Sequence, residues 1–243
     1  MTGRLLVKEL RRIRVIGDHI KAVFFDAVGT ILFPEPGVSA TYARLANQHG
    51  ANLTEETVRA RLIPAFIRQE KIDGQNGWTT SEERERSRWS EIIAEVLPEA
   101  DTAACFRDLW DHYSSSTAWN VPEEAGGVFL ALTKRGLTIG LASNFDARLE
   151  PLTACFPILE PLRERLIISS VVGHRKPGRL FFEEVIRKAG CAPAEILYVG
   201  DDRRNDYDGA RNAGMEAVLL DPKGAEPGIR SIGSLIELNE SKH

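Results

Sequence analysis

A chain of 243 residues has room for one large hydrophobic core, or for a core with a smaller inserted domain. With 43% hydrophobic and 27% charged residues and a formal net charge of -4, the composition is that of an ordinary globular protein and lacks the broad basic field a nucleic acid would need. No apolar run approaches the roughly 20 residues that span a bilayer, and Cys105, Cys155 and Cys191 form neither a disulfide framework nor a zinc pattern, which fits a reducing cytoplasm.

Residues 1–20, MTGRLLVKELRRIRVIGDHI, are basic and lack the continuous apolar segment of a secretory signal, so they read as a short helical or frayed leader. The run VFFDAVGTIL, 23–32, follows. It is apolar until Asp26, after which come Val28, Gly29 and Thr30. A carboxylate closing a run that wants burial has to be hydrogen-bonded, neutralised or given a metal.

Residues 35–120 carry four helical patterns and no convincing strand. Val38, Tyr42, Leu45 and His49 share one helical face. Thr54 opens a second helix with Glu55 and Glu56 in its first turn and Pro64 as a predicted kink. Thr80 and Glu83 can form a capping box ahead of Trp89, Ile92, Ile93, Val96 and Leu97, and Phe106, Leu109, Trp110 and Tyr113 repeat the spacing. The segment is predicted to be a small helical bundle, hinged at 34–37 and 120–122.

Beyond it, LTIGLAS (137–143), LIISSVV (166–172), EILYVGD (195–201) and EAVLLD (216–221) are short apolar runs of strand length. EEAGGVFLALTKRG, GRLFFEEVIRKAG and RRNDYDGARNAG lie between them, each with helical spacing and a glycine at its end. This alternation predicts an α/β fold: a Rossmann-like open parallel sheet built from 21–34 and 121–243, with the helical domain of 35–120 inserted.

In such sheets ligands bind beyond the carboxyl ends of the strands. The polar residues there are Asp26 and Thr30, Ser143 and Asn144, Lys176, and Asp201, Asp202 and Asp206. Singly, each also suits an ordinary role as helix cap, loop hydrogen-bonder or solvated charge. Together they bring carboxylates, a hydroxyl and an ammonium to one sheet edge. Crowded carboxylates repel unless a cation lies among them, and Mg²⁺ takes one or two carboxylates, a carbonyl and waters.

DAVGT (26–30), LASNFD (141–146), HRKPGRLFF (174–182) and VGDDRRNDYDGARNAGM (199–215) resemble, in order and strand context, the four motifs of the haloacid dehalogenase-like (HAD) hydrolase superfamily. The helical insert stands at the place of that superfamily's C1-type cap, as in its subfamily I. The resemblance implies a nucleophile at Asp26 that forms a covalent aspartyl intermediate, with Thr30, Ser143 and Asn144 on the phosphate and Lys176 neutralising it. It further implies Mg²⁺ on Asp26, Asp201 and the backbone carbonyl of Val28, with Asp202 and Asp206 close by.

One position departs from the pattern. Phosphatases of the superfamily carry D-x-D-G-T, in which the second aspartate protonates the leaving alcohol, and here it is Val28. Such an acid typically contributes about 10² to 10⁴ in rate. The leading expectation is a Mg²⁺-dependent phosphatase for a small phosphorylated metabolite with a good leaving group, such as an aryl or acyl phosphate, or one that borrows an acid from His174 or the insert. Three alternatives stand beside it. Halide needs no proton, so a dehalogenase is one, although Phe182 stands where an aromatic hydroxyl would be expected. A phosphonatase would use Lys71, the only lysine of the insert, as a Schiff base. The last is a ligand-binding or regulatory protein with little turnover. A small-molecule substrate is expected, without nucleic-acid or membrane partners.

Overall fold

The computed structural model describes residues 15–239, so the leader predicted over 1–20 lies mostly outside the described residues. Its last part belongs to the core: Ile16 and Ile20 are buried there. Strand β1 (Ala22–Phe25) is wholly buried. A two-residue strand β2 (Phe33–Pro34) then leads into four helices, α1 (Val38–Gln48), α2 (Glu55–Gln75), α3 (Glu82–Val96) and α4 (Thr102–Ser114). The chain returns through β3 (Trp119–Asn120) to α5 (Glu124–Lys134), β4 (Thr138–Ser143), α6 (Leu149–Ala154), α7 (Glu160–Arg163), β5 (Leu166–Ile168) and α8 (Ser169–Val172). Helix α9 (Arg179–Ala189), β6 (Ile196–Gly200), α10 (Gly209–Asn212), β7 (Glu216–Leu220) and β8 (Ser231–Ile232) complete it.

Six strands form one sheet in the order β5-β4-β1-β6-β7-β8, and every pairing in it is parallel. The α/β reading holds. Alternate residues of a strand face opposite sides, and β1 shows it: Val23 and Phe25 enter one core cluster, Ala22 and Phe24 the other. Helix α5 covers the first side, where Phe129 meets Phe25 edge-on at 5.4 Å, and α9 covers the second with Phe181, Phe182 and Val185. Burying one such phenylalanine contributes about 1.5–3 kcal/mol. Gly190, at φ 69°, ends α9 in the left-handed conformation.

The four helices enclose a separate core of Tyr42, Leu45, Val58, Leu62, Ile92, Ile93, Val96 and Leu109. Thr54 caps α2 by accepting from the Thr57 amide at 3.2 Å, and α2 runs on through Pro64. The capping box at Thr80 and Glu83 does not form. Ser81 is the cap, accepting from the Arg84 amide at 3.1 Å, and Thr80 instead donates to Glu85 at 2.7 Å. Both chain passages to the bundle pair as an antiparallel ribbon, Phe33 opposite Asn120 and Pro34 opposite Trp119, which sequence reasoning missed. A second link joins bundle to sheet domain: Thr80 donates to the Gly173 carbonyl at 3.0 Å and Arg175 to that of Trp78 at 2.9 Å, making a bridge at Thr79 and His174.

Two other segments differ from their predicted form. LIISSVV is strand only to Ile168, because the Ser169 hydroxyl donates to the Phe145 carbonyl at 3.1 Å and the next turn closes as α8 onto Gly173 at φ 83°. The helix predicted after β6 begins as a π-helical turn over Arg203–Asp208 before α10. Strand β8 lay beyond the predicted elements. Among the described residues no helix is long and apolar enough to cross a membrane.

Candidate active site

Three neighbouring strands deliver the site. β1 lies between β4 and β6, and the Asp26 amide donates to the Val199 carbonyl at 2.8 Å, so Asp26 emerges just past the sheet's carboxyl edge. The chain then reverses tightly, with the Ala27 carbonyl accepting from Ile31 and Leu32 at 2.8 Å each. Gly29 sits at φ 91°, and any side chain there would run into the Asp201 carboxylate. Thr30, fully buried, donates to Asp201 at 3.3 Å, and Ser143 ends β4 facing the same space.

Lys176 arrives from the loop before α9. Its ammonium donates to Asp26 at 2.6 Å and to Asp206 at 2.5 Å, and lies 5.5 Å from the Tyr198 ring. Burial works against the charged amine, but Asp206 and Asp26 outweigh it and hold Lys176 well above its ordinary pKa. Asn144, expected on the phosphate, lines the cavity; its amide oxygen accepts from the Lys176 amide at 2.8 Å, and its nitrogen donates to the Lys176 carbonyl at 3.1 Å.

Carboxylate oxygens of Asp26, Asp201 and Asp206 lie within 4.8 Å of one another. Asp201 opens onto the cavity and is exposed by area, yet protein atoms crowd it; that loss of water and the Asp26 charge push its carboxyl up to about 6. Burial likewise raises Asp206, against the pull of Lys176. Three carboxylates facing one ammonium leave negative charge in excess where water is scarce, and the donor set is all hard oxygen. These residues fit a magnesium ion. Asp206 joins the cluster directly, whereas Asp202 turns into its own loop and accepts from the Arg204 and Asn205 amides at 2.8 and 2.9 Å.

Above the sheet edge, between it and the helical bundle, lies a cavity of about 380 Å³. Asp26, Lys176 and Asp201 line it together with Val28, Trp89, Phe106, Trp110 and Phe145. Arg148 closes one side: it grips Asp146 through two contacts of 2.7 Å, donates to the Trp110 carbonyl at 3.0 Å and lies 3.5 Å over the Trp110 ring.

A family model described as haloacid dehalogenase-like hydrolase matches residues 20–214. The chain belongs to the haloacid dehalogenase-like hydrolase family. This HAD chain is 28% identical over 215 residues to haloacid dehalogenase-like hydrolase domain-containing protein 3 of Mus musculus, covering 86% of this chain and 84% of that one. Among solved structures, a dehalogenase superposes with TM-score 0.73 at 18% identity over 92% of this chain and 97% of its own. The HAD-hydrolase YfnB of Bacillus subtilis, bound to magnesium, does so with TM-score 0.69 at 19% identity over 90% and 96%. Phosphatases as well as dehalogenases are found among further HAD structures of this fold.

Three residues weighed from sequence lie away from the cavity of this HAD hydrolase. Lys71 is exposed on α2 and outside the cavity wall, which removes the Schiff-base lysine a phosphonatase would need. Phe182 is fully buried against Tyr198 on the far side of the sheet. His174 also stands outside the wall, so it is not placed as a substitute acid. Sequence reasoning overlooked Arg88, Arg148 and Arg175, all of which line the cavity, and Asp73, which is completely buried. Charged residues on an amphipathic helix look like a solvated face, and only tertiary packing turns them inward.

Proposed function

We propose that this HAD hydrolase is a magnesium-dependent phosphatase of subfamily I with a C1-type cap, acting on a small phosphorylated metabolite through a phosphorylated Asp26. The observation that carries the reading is the Lys176 ammonium shared between Asp26 and Asp206, with Asp201 alongside. A buried nucleophilic carboxylate, a fixed cation and an acidic cluster suited to a divalent ion are the parts phosphoryl transfer calls for.

Asp26 attacks phosphorus, forming an O–P bond as the ester P–O bond breaks, and the leaving oxygen departs with the electron pair of that bond. Water then attacks the same phosphorus, restores the Asp26 carboxylate and leaves as part of inorganic phosphate, which keeps both of its protons. Lys176 aligns Asp26 and offsets its charge throughout, while Asn144 holds the lysine backbone in register. Ser143 supplies a hydroxyl donor at the cavity wall, whereas the buried Thr30 gives its hydroxyl proton to Asp201 and orients that carboxylate. Magnesium, when bound by Asp26, Asp201 and the Val28 carbonyl with Asp206 beside them, supplies positive charge to the transferring oxygens. Val28 has no proton to give, so the leaving group must be stable as an anion. The three cysteines are free, which supports a reducing, cytoplasmic setting.

Hydrolysis of p-nitrophenyl phosphate, whose leaving group needs no proton, tests the reading. The purified protein should cleave it with Mg²⁺ and lose that activity with a chelator or in Asp26→Asn. Absence of metal-dependent turnover overturns the phosphatase reading and favours a binding protein.

A further inference from the structure

Three guanidinium groups converge on one fully buried carboxylate, Asp73, and two of them, Arg88 and Arg175, line the cavity. Asp73 accepts from Arg84 at 2.8 and 3.0 Å and from Arg175 at 2.9 Å, and the Arg88 Nε lies 3.1 Å from it. Glu85, also buried, takes Arg175 at 3.1 Å and the Thr80 hydroxyl. Three buried or half-buried cations therefore share two buried carboxylates. The nearby acids are engaged elsewhere: Glu70 by Arg204 and Asn205, and Glu91 by Gln69, with Arg84 3.8 Å away.

Arg88 is the member left short. It is 6% exposed and lines the same cavity as Asp26 and Lys176. Its Nε contact to Asp73 lacks hydrogen-bond alignment, and no acceptor among the described residues takes its two Nη groups. Burial and then the neighbouring Arg175 pull the guanidinium down to about 10, against the raising influence of Glu85 and Asp73. A buried charge without a full set of partners is costly. A planar guanidinium with free N–H groups at a cavity wall is matched by a carboxylate, which it can hold with two parallel hydrogen bonds.

We propose that Arg88 receives a carboxylate on the substrate, so that the cavity takes a phosphate ester with a flat apolar body and a second, acidic group. The proposal rests on the phosphatase reading of Asp26. Trp89, Phe106, Trp110 and Phe145 give the walls an affinity for a ring rather than a polyol. An aromatic hydroxyl is also a leaving group that does without the acid missing at Val28. Both features select an aryl phosphate that bears a carboxylate.

Steady-state kinetics with Mg²⁺ on 4-carboxyphenyl phosphate, phenyl phosphate and acetyl phosphate test this. The carboxylate should raise kcat/KM over phenyl phosphate by about tenfold to a hundredfold, through KM. In Arg88→Met that ratio should fall to about one, and Arg88→Lys should keep part of it. Should both variants fail to fold, wild-type inhibition decides: benzoate competes with phenyl phosphate and benzamide does not. Equal kcat/KM for the two aryl esters, or equal inhibition by benzoate and benzamide, overturns the proposal while turnover of acetyl phosphate leaves the phosphatase reading standing. If none of the three esters is hydrolysed, the phosphatase reading falls, and calorimetry of the two aryl esters then reads the subsite alone. A carboxylate-dependent gain lost in Arg88→Met upholds it, and no gain overturns it.

Discussion

Asn144 holds Lys176 by both polar groups of its backbone, accepting from the amide at 2.8 Å and donating to the carbonyl at 3.1 Å. The side chain thereby fixes where the lysine leaves its loop, and with it the contact to Asp26. Asn144→Ala is expected to lower kcat on p-nitrophenyl phosphate at least tenfold, in line with about 10²-fold losses when reacting groups shift by an ångström. Two lost hydrogen bonds at about 0.5–1.5 kcal/mol each should also lower the unfolding midpoint by a few degrees. Kinetics and scanning calorimetry on the same preparation check both.

Lys176→Met removes the one ammonium that the described residues bring to a cluster of three carboxylates. Breaking a buried pair by deleting one partner costs about 3–5 kcal/mol. The variant should be inactive and less stable by an amount of that order, and added Mg²⁺ should return more stability to it than to the wild type. Denaturant unfolding with and without the metal measures this.

Val28→Asp should raise turnover of alkyl phosphates by about 10² to 10⁴, because it introduces an acid for a poor leaving group. The gain on p-nitrophenyl phosphate should be small. An unchanged ratio of the two rates would show that the proton is not what limits this enzyme.

Dehalogenation makes the opposite demand on metal. The protein should release no chloride from 2-chloropropionate in a chelator, since the Asp26, Asp201 and Asp206 cluster then has Lys176 alone to offset its charge. Chloride released at a rate independent of Mg²⁺ would reverse the assignment.

Asp101 gives a pH signature confined to the bundle. Its carboxylate caps α4 by accepting from Ala103 and Ala104 at 3.1 and 3.0 Å, and the Ala104 amide bond chiefly holds its pKa below the ordinary value. A carboxyl more acidic folded than unfolded stabilises the fold above its unfolded pKa, near 4, and that contribution disappears as pH falls through the lower folded value. Asp101→Ala should thus lower the melting midpoint at pH 7, with the difference shrinking as the pH falls below about 4.

The sheet and the polar residues at its carboxyl edge were legible because their signals are local. Continuous apolar runs separated by helical spacing dictate a parallel sheet, and Asp26, Ser143, Lys176 and Asp201 each stand at or just beyond the end of one. Which acid of DDRRND turns inward was not legible, since the π-helical turn commits Asp202 to capping and sends Asp206 to the lysine. LIISSVV looked like one strand because its β-branched residues suit a sheet, but hydroxyl groups at 169 and 170 bond across to Phe145 and Glu82 and start a helix. The Asp73 and Arg88 cluster was invisible for another reason: its partners are separated by up to 102 positions, and nothing local distinguishes a buried charge on a helix from a solvated one.

The backbone bridge at Thr79 and His174 ends one residue short of Lys176, and Arg175, buried against Asp73, is the residue between. A bundle that swings aside must tear these contacts and tug on the very loop that carries the ammonium. On the phosphatase reading, opening the cavity would then also loosen the loop that sets Lys176 against Asp26.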